Sequence, residues 1–249
     1  MHVEAGEPLQ NMTVALEFVG KASDEQCDIL ILPECLDLGW TDPSAHAQAE
    51  AIPGPRSELL CAAAREHSIH VVAGLTELAE GSTYNSAILV NDNGDILAKH
   101  RKINILDIAS HLYTKGQNIG IVQTKLGRVG MSVCADLLPE TNDLGYALGA
   151  MGAEIILSPC SWAVPPDFDQ LATSYGQEWK ESYRAIAAKF SIPIIGVSNI
   201  GKVKHGAWAG WRCIGSSILV HANGAIEQYP FTTTESRLYT ADIVLPSST

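Results

Sequence analysis

Strand-forming runs that alternate with helical stretches constrain this chain more than any other feature. Apolar, β-branched runs occur at residues 28–33, 69–75, 86–90, 129–134, 154–158, 192–199 and 217–221, each of a length suited to a buried strand. Between several of them the apolar period changes from 2 to 3.6. Trp179, Tyr183, Ile186, Ala187 and Phe190 share one helical face, as do Ala15, Phe18, Val19 and Ala22 in a helix expected from Asn11 onward. Ser57 is expected to cap a helix over 58–67, and Thr141 or Asn142 to cap one ending near Gly152. Asn91-Asp92-Asn93-Gly94 and Ala222-Asn223-Gly224 are hairpin-turn sequences. Residues 238–245 alternate and predict a late edge strand. The pattern is α/β, without repeats, low-complexity tracts or linkers, and its 249 residues fit one domain over 1–249.

Composition removes several function classes. Sixteen Lys and Arg against 28 Asp and Glu give a formal charge of −12. No basic cluster offsets it, so phosphate backbones are repelled and no nucleic-acid partner is expected. No apolar run approaches the roughly 20 residues of a membrane span. The first eight residues carry neither the basic nor the apolar region of a signal peptide. The expectation is a cytoplasmic protein without a membrane partner. Cysteines 27, 35, 61, 134, 160 and 213 include no C-x-x-C pair, which points to reduced thiols rather than structural zinc or dithiol redox chemistry. The histidines show no H-E-x-x-H or paired spacing, and no G-x-S-x-G, G-x-G-x-x-G or phosphate-loop frame is present. No metal or organic cofactor is expected.

Three chemically different groups stand at the ends of predicted elements, where α/β folds collect their working residues. Glu34 follows Leu30-Ile31-Leu32-Pro33, Lys102 follows Ile96–Arg101, and Cys134 closes Gly130-Met131-Ser132-Val133. A thiol on a tight strand-to-helix turn is presented outward beside free backbone N–H groups. At its free pKa it is only slightly ionised near neutrality, so it needs a base or a neighbouring cation. A carboxylate at the end of a buried strand is either paired or kept for proton transfer. A lysine there can pair with it and hold a developing oxyanion. Each residue alone also fits a plainer role: a buried packing cysteine, a loop glutamate, a surface lysine. Together they predict a catalytic cysteine, with each contact in the cluster direct or through one water and Cys134 the fastest of the six thiols to alkylate. Trp40, Trp162, Trp208 and Trp211 fall in predicted loops, as pocket walls or as packing.

The ordered set Leu32-Pro33-Glu34, Arg101-Lys102 and Gly130-Met131-Ser132-Val133-Cys134-Ala135-Asp136 with Pro139-Glu140 resembles the nitrilase superfamily of carbon–nitrogen hydrolases. The resemblance continues in Tyr84-Asn85-Ser86, in Trp179, Arg184 and Asn199, and in Gly215-Ser216-Ser217 with Asn223-Gly224, from about Asn11 to Ile243. It implies a four-layer α-β-β-α sandwich, assembly into a homodimer or larger homo-oligomer, and no cofactor. It assigns the nucleophile to Cys134, the general base to Glu34 and transition-state stabilisation to Lys102. The implied reaction is hydrolysis of an amide or N-carbamoyl C–N bond in a small molecule through a Cys thioester, with nitriles a further candidate. Two rivals stand beside it: an impaired family member that acts by binding, and an acyl transferase using the same thioester.

Two departures qualify the match. Family members carry a second glutamate between the lysine and the cysteine, where this chain reads 107–116 without one; Ala109 or His111 holds the position and Asp107 is the nearby acid. They also open with a full strand, here reduced to the first three residues. The first strand is therefore expected to be truncated, leaving either a gap beside residues 28–33 or unpaired polar groups on a neighbouring strand. Residues 4–10 are expected as a loop.

Overall fold

In the computed structural model, which describes residues 1–246, three sheets form. The first contains β1 (Ile29–Ile31), β2 (His70–Ala79), β3 (Ser82–Val90) and β4 (Ile96–Arg101), in that order across the sheet. The second contains β5 (Ile121–Thr124), β6 (Gly127–Met131), β7 (Ile155–Cys160), β9 (Ile194–Ser198), β12 (Ile218–Val220) and β13 (Ile226–Gln228), in the order β13-β12-β9-β7-β6-β5. A small third sheet joins β8 (Ala163–Val164), β10 (Ile200–Lys202) and β11 (Arg212–Ile214). The helices are α1 (Pro8–Asp24), α2 (Ala45–Gln48), α3 (Pro55–His67), α4 (Asp143–Ala150) and α5 (Gln177–Phe190).

The period-2 pattern of β2 and β3 builds the layers. Val71, Ala73 and Leu75 of β2 and Ile88 and Val90 of β3 pack with Met12, Phe18 and Val19 of α1 and Leu60 and Ala64 of α3. Val72, Ala87 and Leu89 point the other way and join Val129, Met131, Ile156 and Leu157 of the second sheet. Tyr183, Ile186 and Ala187 of α5 and Leu148 of α4 belong to that same cluster. Alternation along two strands therefore separates two helix layers from two sheets, the expected four-layer α-β-β-α sandwich. Each fully buried aliphatic side chain contributes roughly 1.5–3 kcal/mol.

Several boundaries differ from expectation. α1 begins at Pro8, which suits the first helical position, so the loop before it is shorter. Asn11 then anchors the entry, its amide donating to the Glu4 and Asp37 carbonyls at 2.8 Å each. α3 begins at Pro55. Ser57 caps it from the third helical position, accepting the Gly54 N–H at 2.9 Å. Neither Thr141 nor Asn142 caps α4 through its side chain; the Thr141 hydroxyl donates instead to the Ala135 carbonyl at 2.6 Å. Residues 238–245 form no strand. Leu238, Ile243 and Leu245 pack against the clusters and Val244 is exposed, but alternation without a pairing partner makes no ladder.

At the N-terminus only His2 makes a bridge, parallel to Ile200 of β10. The Val3 N–H donates to the Ile200 carbonyl at 2.8 Å, and the Ile200 N–H to the Met1 carbonyl at 3.0 Å. The first three residues thus pair with the small sheet rather than beside residues 28–33. β1 remains an edge strand. It borders a cavity of about 660 Å³ whose walls include Ile29, Ile31, Ile155, Leu157, Ile195 and Leu219. None of Glu34, Lys102 and Cys134 lines this cavity.

Candidate active site

Backbone contacts fix each of the three predicted residues. Past β1, the Glu34 N–H donates to the Cys160 carbonyl at the end of β7, at 3.2 Å. The Glu34 carbonyl accepts the Ser161 hydroxyl at 3.3 Å. β2 passes so close that a Cβ on Gly74 would stand 2.5 Å from Glu34 Cα, which is why a glycine is needed there. Lys102 follows β4 directly. Its N–H donates to the Asn85 carbonyl of β3 and its carbonyl accepts the Gly116 N–H, both at 2.8 Å. Cys134 lies beyond the end of β6, which stops at Met131, and opens a 3-10 turn over Cys134–Leu137. Its φ of 45° is in the left-handed region, a strain of about 1–3 kcal/mol that persists only where surrounding contacts impose it. One such contact is the Cys134 N–H, which donates to Ser158 Oγ at 3.1 Å.

These placements bring all three side chains into one buried region: Glu34 is 0% exposed, Lys102 1% and Cys134 7%. Lys102 Nζ donates to Glu34 Oε1 at 2.7 Å, and Asn85 Nδ2 donates to the same oxygen at 2.6 Å. Glu34 Oε2 is buried and, among the described residues, has no hydrogen-bond partner. Burial works against the Lys102 ammonium, but the charge of Glu34 and its hydrogen bond outweigh it and hold its pKa above the ordinary lysine value. Burial pushes the Cys134 thiol well up; the neighbouring Cys160 thiol and the Glu34 charge push the same way, and Lys102 pulls it back. The direct contact in the trio is therefore Glu34–Lys102. Among the described residues the Cys134 thiol makes no hydrogen bond to either and is coupled to both through charge.

The remaining candidates separate clearly. Asp107 and His111 are exposed, whereas Ala109 is buried with Cys35, Trp40, Leu112 and Tyr113. The stretch that lacks the second glutamate thus presents an alanine inward. Cys35 donates to the Tyr113 hydroxyl at 3.7 Å. Lys102 Nζ stands over the Trp40 ring at 5.9 Å, Trp208 meets Trp40 edge-on, and Trp208 stacks on Trp211 at 4.1 Å. Trp162 packs instead among Tyr175 and Trp179. Asn85, Ser158 and Cys160 were not singled out by sequence reasoning as site residues. Asn85 carried a signal, in the Tyr84-Asn85-Ser86 pattern ahead of the lysine; Ser158 carried none beyond closing a strand-like run, and Cys160 none.

The family model for carbon-nitrogen hydrolases matches residues 2–249. The chain belongs to that family. Among curated relatives it is similar to the omega-amidase NIT2 of Bos taurus, at 28% identity over 160 residues, 60% of this chain and 57% of that protein. It is also similar to a probable nitrilase of Schizosaccharomyces pombe, at 24% identity over 72% of this chain and 64% of that one. The chain therefore spans less than two thirds of the length of these relatives. Its fold matches a carbon-nitrogen hydrolase from Helicobacter pylori G27 with a TM-score of 0.79 and 20% identity, over 94% of this chain and 84% of that one. A glutamate-to-glutamine mutant of the amidase from Nesterenkonia sp. AN1, showing Michael addition of acrylamide at its active-site cysteine, matches with a TM-score of 0.76 and 19% identity, over 93% of this chain and 87% of that one. Among the described residues no helix is long and apolar enough to cross a membrane.

Proposed function

We propose that this chain hydrolyses an amide or N-carbamoyl C–N bond in a small molecule, through a thioester on Cys134. The observation that carries the reading is the state of the Glu34 carboxylate: one oxygen is held by Lys102 and Asn85, and the other is buried and, among the described residues, without a hydrogen-bond partner, close enough for its charge to act on the Cys134 thiol. Because the resting thiol is held protonated, base catalysis is required at the moment of attack. Glu34 takes the Cys134 proton as sulfur adds to the carbonyl carbon. The Lys102 ammonium and the backbone after Cys134 stabilise the tetrahedral oxyanion. The Cys134 N–H is already occupied by Ser158, which leaves the Ala135 N–H as the backbone donor of this proposal.

Collapse of the intermediate breaks the C–N bond, and the amine departs with the proton Glu34 had accepted. Water then loses a proton to Glu34 and attacks the thioester. The acid is released and the proton returns to sulfur. The similarity to omega-amidases supports amide over nitrile substrates, and the amidase of like fold carries a covalent adduct on its cysteine. The homo-oligomeric assembly implied by the family resemblance and the cytoplasmic location expected from the sequence belong to this reading too; light scattering of the purified chain tests the first.

The test is ammonia release from a panel of short amides, N-carbamoyl compounds and nitriles. Wild type is expected to release ammonia from members of the first two groups, with C134A reduced by roughly 10³-fold or more. A C134A variant that retains activity overturns the proposal. The inward-facing Ala109, in the stretch where the family resemblance implies a second glutamate, is the observation that favours the rival of an impaired binding protein. A wild type that binds amides in calorimetry without releasing ammonia supports that rival.

A further inference from the structure

Asp136 lies two residues after Cys134 and its carboxylate is fully buried. Oδ2 accepts the Val133 N–H at 3.0 Å and meets His100 Nε2 at 2.8 Å. Oδ1 accepts the backbone N–H groups of Ile103 at 3.1 Å and Asn104 at 2.8 Å, and the Asn104 side-chain amide at 3.3 Å. These partners come from two places. Val133 immediately precedes the nucleophile, whereas His100, Ile103 and Asn104 flank Lys102 on both sides. One carboxylate therefore ties the turn that carries the thiol to the loop that carries the ammonium.

Both segments need such a tie. Cys134 sits in a left-handed conformation, which neighbouring contacts must impose. The β3–β4 register ends at the Ser86–Arg101 pair, so past Lys102 the strand ladder no longer holds the chain. Burial opposes ionisation of Asp136, but His100, the Asn104 N–H and Lys102 outweigh it and keep the pKa below the ordinary aspartate value. It is thus an anion that accepts from every partner named.

We propose that Asp136 and His100 form a positioning pair for the reaction proposed above, setting the Cys134 sulfur against the Lys102 ammonium without touching the substrate. The inference rests on that reading of the site. Asp136→Asn keeps the size of the side chain but removes its charge, and turns an amide NH₂ against N–H donors on one side. The nucleophile and the lysine loop then lose their common anchor. A misplacement of about 1 Å at such a site costs on the order of 10²-fold in rate.

The experiment compares D136N, H100F and H100Q with wild type by steady-state kinetics on a turned-over amide, thermal midpoint, and iodoacetamide alkylation of Cys134 against partly exposed Cys27 in the same sample. D136N is expected to lower kcat by about 10–100-fold with KM changed less than about 3-fold, since the residue meets no substrate. Alkylation of Cys134 should slow while that of Cys27 does not. H100F should lose activity and Cys134 reactivity in the same way. H100Q, which restores an N–H donor, should recover most of that loss. The proposal is overturned if kcat and Cys134 alkylation in D136N match wild type, or fall only with the folded fraction. If D136N does not fold, the H100F and H100Q pair decides: equal behaviour of the two overturns it. Alkylation needs no substrate, so a wild type inactive on every amide sinks the proposed function while this comparison still tests the positioning.

Discussion

Replacing Gly74 by alanine tests whether the close approach of β2 is what places the Glu34 carboxylate. A Cβ at Gly74 stands 2.5 Å from Glu34 Cα, 2.7 Å from the Pro33 carbonyl oxygen and 3.0 Å from the Cys35 nitrogen. All three are backbone atoms, so no rotamer change relieves the overlap. The shortest contact falls about 0.9 Å short of the 3.4 Å at which ordinary contact begins. The backbone must yield by about that amount against three hydrogen bonds: Leu32 N–H to the Val72 carbonyl at 2.7 Å, Gly74 N–H to the Pro33 carbonyl at 3.1 Å, and Leu36 N–H to the Gly74 carbonyl at 2.9 Å. Overpacking of this kind costs about 1–3 kcal/mol, or roughly 2–12 °C in Tm at 2–4 °C per kcal/mol for a chain of this size. A carboxylate displaced by about 1 Å costs on the order of 10²-fold in kcat. Calorimetry beside steady-state kinetics measures both, with Gly120→Ala as the control: nothing lies within 4 Å of its Cβ and its φ is not positive. G74A turning over at the wild-type rate with an unchanged Tm refutes the reasoning.

Four further outcomes are expected. With iodoacetamide, itself a small amide, Cys134 should alkylate faster than the other five thiols. In Cys160→Ala the pH midpoint of that reaction should move down, because the neighbouring Cys160 thiol holds the Cys134 thiol up; a midpoint unchanged or raised contradicts this. Burial disfavours the Glu77 anion, but Arg101, Lys99 and Ser86 hold its pKa down at about 2, against an ordinary 4.5. Its contribution to stability is thus complete above about pH 4.5 and lost as pH falls toward 2, and Glu77→Gln should flatten the Tm profile in that window. Extending the chain ahead of Met1 by about six alternating apolar residues should raise Tm, because the open edge of β1 offers a partner and the adjoining cavity offers room; no change in Tm argues that an added strand does not enter there.

Legibility from sequence followed the range of the interactions. Val71 through Leu75 and Ala87 through Val90 announced buried strands by their continuous apolar runs, and Trp179 through Ala187 announced a helix by period, because both signals are local. Glu34, Lys102 and Cys134 stand out in the sequence because each ends or directly follows a strand-like run. Asn85, Asp136 and Ser158 act through partners 51, 36 and 24 residues away, and no spacing rule encodes such pairings. The small sheet was missed for a related reason. β8 has two residues and β10 and β11 three each, too few for a period to show. Residues 238–245 erred in the opposite direction, since their alternation is real but a strand also requires a neighbour.

The most direct test of the central claim is peptide-mapped mass spectrometry after rapid acid quench of the protein turning over an amide. The account predicts the acyl mass of the substrate on the peptide containing Cys134, no such mass on C134A, and its decay in step with acid release. Ammonia released at the wild-type rate with the acyl group on Cys35 or Cys160, or with no acyl-protein on the timescale of turnover, contradicts it.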